Sequence, residues 1–178
     1  MKNTAVKYGL IIGCVSVGIL MMKYFIDPKQ IFSFLSIWSL LGVVFTLVLL
    51  FLAAKTARDQ NGGVISFGEA FKTSFIAYLI SAVLSALTLQ ILMYVIDTGL
   101  QEIAMDAQLG ITESTMRWMG ASEADILEAI EEAEENMETI DINPIGQFFI
   151  GILNAVLFFG LPISAIIGLI VKRKPKQA

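Results

Sequence analysis

The sequence predicts an all-α integral membrane protein, a four-helix bundle with an extracytoplasmic acidic helical segment between spans three and four. Of the 178 residues, 56% are hydrophobic and 16% are charged, whereas about 25% are charged in an average soluble domain. Four almost uncharged runs are each long enough to cross a hydrocarbon core of about 30 Å. Acidic residues are concentrated between the last two runs. At this length we expect a single domain over residues 1–178.

The four predicted spans cover residues 8–26, 31–54, 73–96 and 145–171. The first contains one charged residue, Lys23, close enough to its end for the side chain to snorkel to the interface. Pro28 ends the first helix, so spans one and two should form a tight antiparallel hairpin. Although the N-terminus resembles a secretory signal, no small-residue cleavage motif follows it. We therefore expect an uncleaved anchor.

Basic residues are concentrated on one predicted side of the membrane. Both termini and the connection over residues 55–72 carry 9 of the 12 Lys and Arg residues, whereas the opposite side carries 14 of the 16 Asp and Glu residues. By the positive-inside rule the first side is cytoplasmic. We therefore expect a multi-pass protein of the cytoplasmic membrane, embedded in the lipid bilayer, with both termini in the cytoplasm.

The scarcity of reactive side chains excludes several classes of site. The chain has no histidine and one cysteine, Cys14. Ser-His-Asp and Cys-His catalysis need an imidazole, and the usual zinc sites need several Cys or His ligands. We therefore predict no catalytic residue, no cofactor, no resident metal and no enzymatic activity. The acidic outer segment also argues against nucleic-acid binding.

Small residues recur at a spacing of four in three of the spans. Helices in lipid associate by close packing at such residues. The strips either pack inside the bundle, which we favour, or form a dimerisation face. Their members are Gly9 and Gly13 in span one, Ser81 and Ser85 in span three, and Gly160, Ser164 and Gly168 in span four.

A few stronger polar groups also lie within the spans. Gln90, Gln147 and Asn154 either line a substrate path or, as we favour, make interhelical hydrogen bonds. Pro162 lies inside span four and should kink it. No Asp, Glu, Lys or Arg occurs in the last three spans, which argues against an ion-coupled pump because intramembrane charges usually mark ion paths.

The connection between spans two and three carries the most distinctive local motif. Ser66 with Glu69 three residues later predicts a capping box at a helix start, after a glycine turn at residues 61–63. A structural turn and cap is the favoured interpretation, and anion binding at the helix start is the alternative.

The order of these features resembles a bacterial membrane family called domain of unknown function 4199. The resemblance rests on a lysine-bearing N-terminus before a Gly-rich first span, then Lys55, Arg58 and Asp59, the double glycine, and the run at residues 65–71. Members of that family are small four-span proteins with no assigned activity. The resemblance therefore implies the four-span architecture, and it implies no catalytic or binding residue.

The third connection, residues 97–144, holds 13 acidic residues and one basic residue, Arg117. Its length predicts secondary structure of its own. Ser122, with Asp125 three residues later, should cap a helix. One face of this helix carries the apolar residues Ile126, Ile130, Ala133 and Met137, and glutamates that include Glu131 and Glu134 cover the rest.

Three interpretations of this acidic helix remain open. It is a solvated cap on the bundle, a docking surface for a basic or apolar partner, or a weak Ca²⁺ or Mg²⁺ site that lacks the usual ligand loop. For the whole protein we favour a non-enzymatic accessory or scaffold role, with another membrane or extracytoplasmic protein as partner. The alternatives are a small oligomeric transporter or channel and, less favoured, an enzyme that acts on lipid.

Overall fold

The computed structural model describes residues 2–33, 36–139 and 144–173, with the side chains of 2 and 136–139 left out. In these ranges the secondary structure is helical apart from one isolated bridge, as predicted. The helices are α1 (Lys2–Ile26), α2 (Ile37–Gln60), α3 (Phe67–Ile91), α4 (Leu100–Trp118), α5 (Glu123–Thr139), α6 (Pro144–Ala155) and α7 (Leu161–Val171). A 3₁₀ turn (Pro28–Phe32) and two π segments (Leu92–Ile96 and Val156–Gly160) complete the chain.

Four of these helical stretches are long and apolar enough to cross a membrane, which confirms the predicted number of spans. They are Asn3–Ile26, Ile37–Gln60, Phe67–Ile96 and Pro144–Val171. Span two begins later than predicted because Pro28 starts a separate 3₁₀ turn before it. Span three begins earlier because the Ser66–Glu69 capping box, present as predicted, starts the helix at Phe67.

Helix α3 lies at the centre of the bundle, where it packs against α1, α2 and α7. Its closest approach is to α1. A Cβ atom added to Gly9 would lie 2.9 Å from the Ala77 carbonyl oxygen, far closer than a methyl group can sit without moving the backbone. The glycine therefore permits a helix–helix distance that no larger residue allows.

The two π segments interrupt the C-terminal end of span three and the middle of span four. Each is marked by a backbone bond to the fifth residue back, from Asp97 to Leu92 and from Leu161 to Val156. In span four the Tyr78 hydroxyl donates to the Ala155 carbonyl at 3.0 Å. This π segment ends shortly before Pro162, the residue at which the sequence predicts a kink.

The end of the bundle that carries the connection between α2 and α3 is held by polar contacts between helices. Ile65 and Arg173 exchange two backbone hydrogen bonds of 3.2 and 2.9 Å, which tie the chain after α7 to the start of α3. The Tyr8 hydroxyl lies 3.0 Å from that of Thr56, linking α1 to α2. These contacts tie the spans together in pairs at this end, α3 with α7 and α1 with α2.

Candidate functional site

Helices α4 and α5 form a hairpin between spans three and four. Gly120 allows the turn between them because its φ is +79°. After the turn, the Ser122 hydroxyl accepts from the Asp125 amide while the Asp125 carboxylate accepts from the Ser122 amide at 3.2 Å. This is the cap that the sequence predicts, and the hydrogen bonds donated by Ser122 lower the pKa of Asp125 below its usual range.

Arg117 joins the end of α4 to the start of α5. Its guanidinium donates to both carboxylate oxygens of Glu123, one of them at 3.1 Å, and its Nε donates to Glu113 at 3.1 Å. These charge-assisted bonds raise the pKa of Arg117 above its usual value. The single basic residue of this acidic segment is therefore engaged in holding the hairpin together.

The start of the apolar stripe of α5 is turned toward α4. Ile126 is only 3% exposed and Ile130 is half-buried, and α4 is the helix against which α5 mainly packs. The side chain of Met137 lies outside the described residues. The start of the stripe is thus covered within the chain rather than left open to a partner.

The acidic face of α5 is exposed instead. We define it by five exposed glutamates of the helix, Glu128, Glu131, Glu132, Glu134 and Glu135. None of the ion pairs among the described residues engages Glu131 or Glu134. Within the described ranges, no group of three or more carboxylates is arranged to hold a metal ion. The arrangement suits attraction of a cationic surface.

The small residues that were predicted to mediate helix packing all lie within the spans of the bundle. Gly9 and Gly13 lie against α3, as a Cβ on Gly13 would come within 2.5 Å of Leu84. Gly160 lies against the ring of Tyr78, and Gly168 against Phe67. Buried positions are also occupied by Ser81 and Ser164, whereas Ser85 is half-buried.

The three amides predicted within the spans have different environments. Gln147 accepts a 2.7 Å hydrogen bond from the Tyr94 hydroxyl, an interhelical bond of the expected kind. The side-chain oxygen of Gln90 is buried and has no hydrogen-bond partner in the part of the chain that the structure describes. Asn154 is exposed on the outside of α6, and no hydrogen bond from a described residue reaches its side chain.

Lys23 is the residue whose environment differs most from expectation. Its side chain does not reach solvent but is enclosed, at 7% exposure. The amine donates to the Ile31 carbonyl and to the Ser39 hydroxyl, both at 3.0 Å. The 3₁₀ turn after Pro28 brings that carbonyl over the end of α1, and only the fold of this connection reveals the arrangement.

The chain matches a known protein family. A family model described as a protein of unknown function, DUF4199, matches residues 7–173. No curated protein and no solved structure gives a significant match. The family match covers all four spans and the hairpin between the last two.

Proposed function

The chain belongs to the DUF4199 family of proteins of unknown function, and from that premise we propose that it is a non-enzymatic accessory or scaffold protein of the bacterial cytoplasmic membrane. The observation that carries the proposal is the acidic face of α5. It projects from a bundle of four membrane-compatible helices, on a hairpin held by its own caps and ion pairs. Such a surface is suited to recognition rather than chemistry.

The proposed orientation places this hairpin outside the cytoplasm. It rests on the asymmetry of the basic residues, because 9 of the 12 lie on the side of the termini and of the connection 55–72. The hairpin and the short connection after α1 then face the extracytoplasmic space. A partner of the hairpin is accordingly another membrane protein with an outer domain or a protein of that space.

The chemistry of the proposed partner follows from the side chains of α5 that remain exposed. Ile126 is covered within the hairpin, so the docking surface is mainly electrostatic. Glu131 and Glu134 present carboxylates on the acidic face. A partner with a Lys- and Arg-rich surface is complementary to them, and its association should weaken as ionic strength rises.

Co-purification from native membranes in mild detergent tests this role. The variant Glu131→Gln/Glu134→Gln removes two charges from the acidic face, and Glu102→Gln/Asp106→Asn removes two exposed charges from α4 as the matched control. We expect a basic partner whose recovery falls with the first variant and persists with the second. Equal recovery with both variants would contradict docking through α5.

One observation favours the alternative of a small oligomeric transporter or channel. The Gln90 side-chain oxygen and the Ser164 hydroxyl are buried within spans and lack hydrogen-bond partners among the described residues. Ser164 lies between Gly160, which contacts Tyr78, and Gly168, which contacts Phe67. Ser164 is therefore level with a point midway between Tyr78 and Phe67 on α3, and Gln90 is roughly 26 Å from that point along α3 at 1.5 Å per residue. Solute flux into liposomes that is lost with Gln90→Leu would favour this alternative over the scaffold role.

A further inference from the structure

The outward face of α6 carries a polar group where the bilayer offers no partner for it. Asn154 is exposed there, and the chain provides no hydrogen bond to its amide among the described residues. Its neighbours on the same face are the exposed apolar residues Ile150 and Phe158, at 48% and 72% exposure. The amide thus lies in an otherwise apolar surface of a membrane-compatible helix.

The depth of Asn154 makes this exposure unfavourable. Span four has 28 residues, Pro144–Val171, which corresponds to a length of about 42 Å at 1.5 Å per residue. Asn154 lies roughly 5 Å from its midpoint by the same measure. Near the centre of a bilayer no water is available to pair with a side-chain amide, so an unpaired amide there is strongly disfavoured.

The surroundings of Asn154 also permit another helix to approach. Gly151 lies one turn earlier on the same face, and no atom lies within 4 Å of the position that its Cβ would occupy. A glycine next to a polar residue on an outward face allows two helix backbones to come close enough for an interhelical hydrogen bond. In contrast, the space beside Gly160 is already filled by the ring of Tyr78 of the same chain.

We propose that this face is the interface between two copies of the chain, in which the two Asn154 amides hydrogen-bond to each other. A second copy fits for two reasons. All copies share one orientation in the membrane, so a two-fold axis along the membrane normal sets both Asn154 side chains at the same depth. An amide carries both donors and an acceptor, so it is complementary to its own copy.

Dilution of the purified full-length protein in liposomes tests the proposal. Energy transfer between donor- and acceptor-labelled copies, measured as the lipid-to-protein ratio rises, gives the dimer dissociation constant. We expect Asn154→Leu to weaken dimerisation by about threefold to tenfold, the range of interhelical hydrogen bonds in membranes. Asn154→Gln keeps the amide and should retain most of the affinity. Val44→Leu, at an exposed apolar position of α2, should have no effect.

A cross-linking experiment locates the same interface without replacing Asn154. Because Cys14 is the single cysteine, Cys14→Ser gives a thiol-free background. Ile150→Cys in that background should form a cross-linked dimer with a short thiol reagent, and Val44→Cys should not. Adding Asn154→Leu to the Ile150→Cys chain should reduce the yield.

Three results would overturn the proposal. They are a wild-type protein that stays monomeric in liposomes at all ratios, equal dimerisation of the wild type and Asn154→Leu, and equal cross-linking at positions 150 and 44. The inference is independent of docking through α5, because Glu131→Gln/Glu134→Gln should leave the dimer unchanged.

Discussion

Two helices are held together by different kinds of contact in the α1–α3 interface and in the α4–α5 hairpin. In the bundle, Gly9 lets α1 lie directly on the backbone of α3 at Ala77. In the hairpin, Arg117 and a capping box hold the turn, and Ile126 is the one α5 side chain among those described that is almost fully buried. Close packing needs no water and suits lipid, whereas exposed ion pairs contribute little when solvated. The difference indicates that the hairpin opens more readily than the bundle.

This contrast bears on where function can reside. Segments of low local stability supply most binding surfaces and moving parts. A surface on α5 can adjust to a partner without disturbing the spans, because its described contacts are mainly with α4. The bundle, in contrast, offers a fixed outer surface, where the unpaired amide of Asn154 marks a position for association.

The largest effect is expected from overpacking the bundle. Gly9→Leu forces side-chain atoms into the backbone of α3, 2.9 Å from the Ala77 carbonyl oxygen, and should lower the free energy of unfolding by about 3 kcal/mol. Gly18 lies on the same helix with open space around it, so Gly18→Leu is the matched control and should be nearly neutral. Reversible unfolding in mixed micelles measures both, and similar losses would contradict the close approach of α1 and α3.

A smaller and purely local effect is expected in the hairpin. Ile126→Ala removes the side chain that is 3% exposed and should destabilise docking of α5 on α4 by about 2 kcal/mol. Hydrogen exchange should accelerate in α5 while the spans stay protected. Leu127→Ala, at a 67% exposed neighbour, should change exchange very little. Acceleration throughout the bundle would show that the hairpin and the spans unfold as one unit.

The helices of this fold could be predicted from the sequence more completely than the contacts between them. The four spans follow from apolar runs, and the caps at Ser66 and Ser122 from residues three positions apart. These features are local, so they can be recognised without knowing which helices are neighbours. Enclosure of Lys23 and burial of Ile126 depend on which element folds over which. For the same reason the sequence does not reveal that Asn154 faces outward, whereas Gln147 accepts a hydrogen bond from Tyr94.

Removing a single hydrogen bond in span four should have an effect of intermediate size on the stability of the bundle. The Tyr78 hydroxyl donates to the Ala155 carbonyl at the start of the π segment. Tyr78→Phe keeps the ring that packs on Gly160 and removes only this bond, so we expect a loss of about 1 kcal/mol in the free energy of unfolding. Tyr94→Phe, which removes the bond to the exposed Gln147, should cost less. A larger loss for Tyr94→Phe would mean that span four is held mainly at its N-terminal end.

The smallest effect is expected at the cap of α5 and depends on pH. Asp125 has a lowered pKa because Ser122 donates to its carboxylate, so its contribution to the cap is complete above the ordinary Asp pKa of about 3.9. That contribution is lost as the pH falls through the still lower pKa of the folded state. Hydrogen exchange in the first turn of α5 should therefore be faster in Asp125→Asn than in the wild type at pH 6, and the difference should shrink near pH 3. Glu128→Gln removes a carboxylate of the same helix that takes no part in the cap, and it should alter this turn less at both pH values. A difference for Asp125→Asn that persists unchanged in acid would mean that the carboxylate charge does not contribute to the cap, and that the turn at Gly120 and the packing of Ile126 hold the hairpin without it.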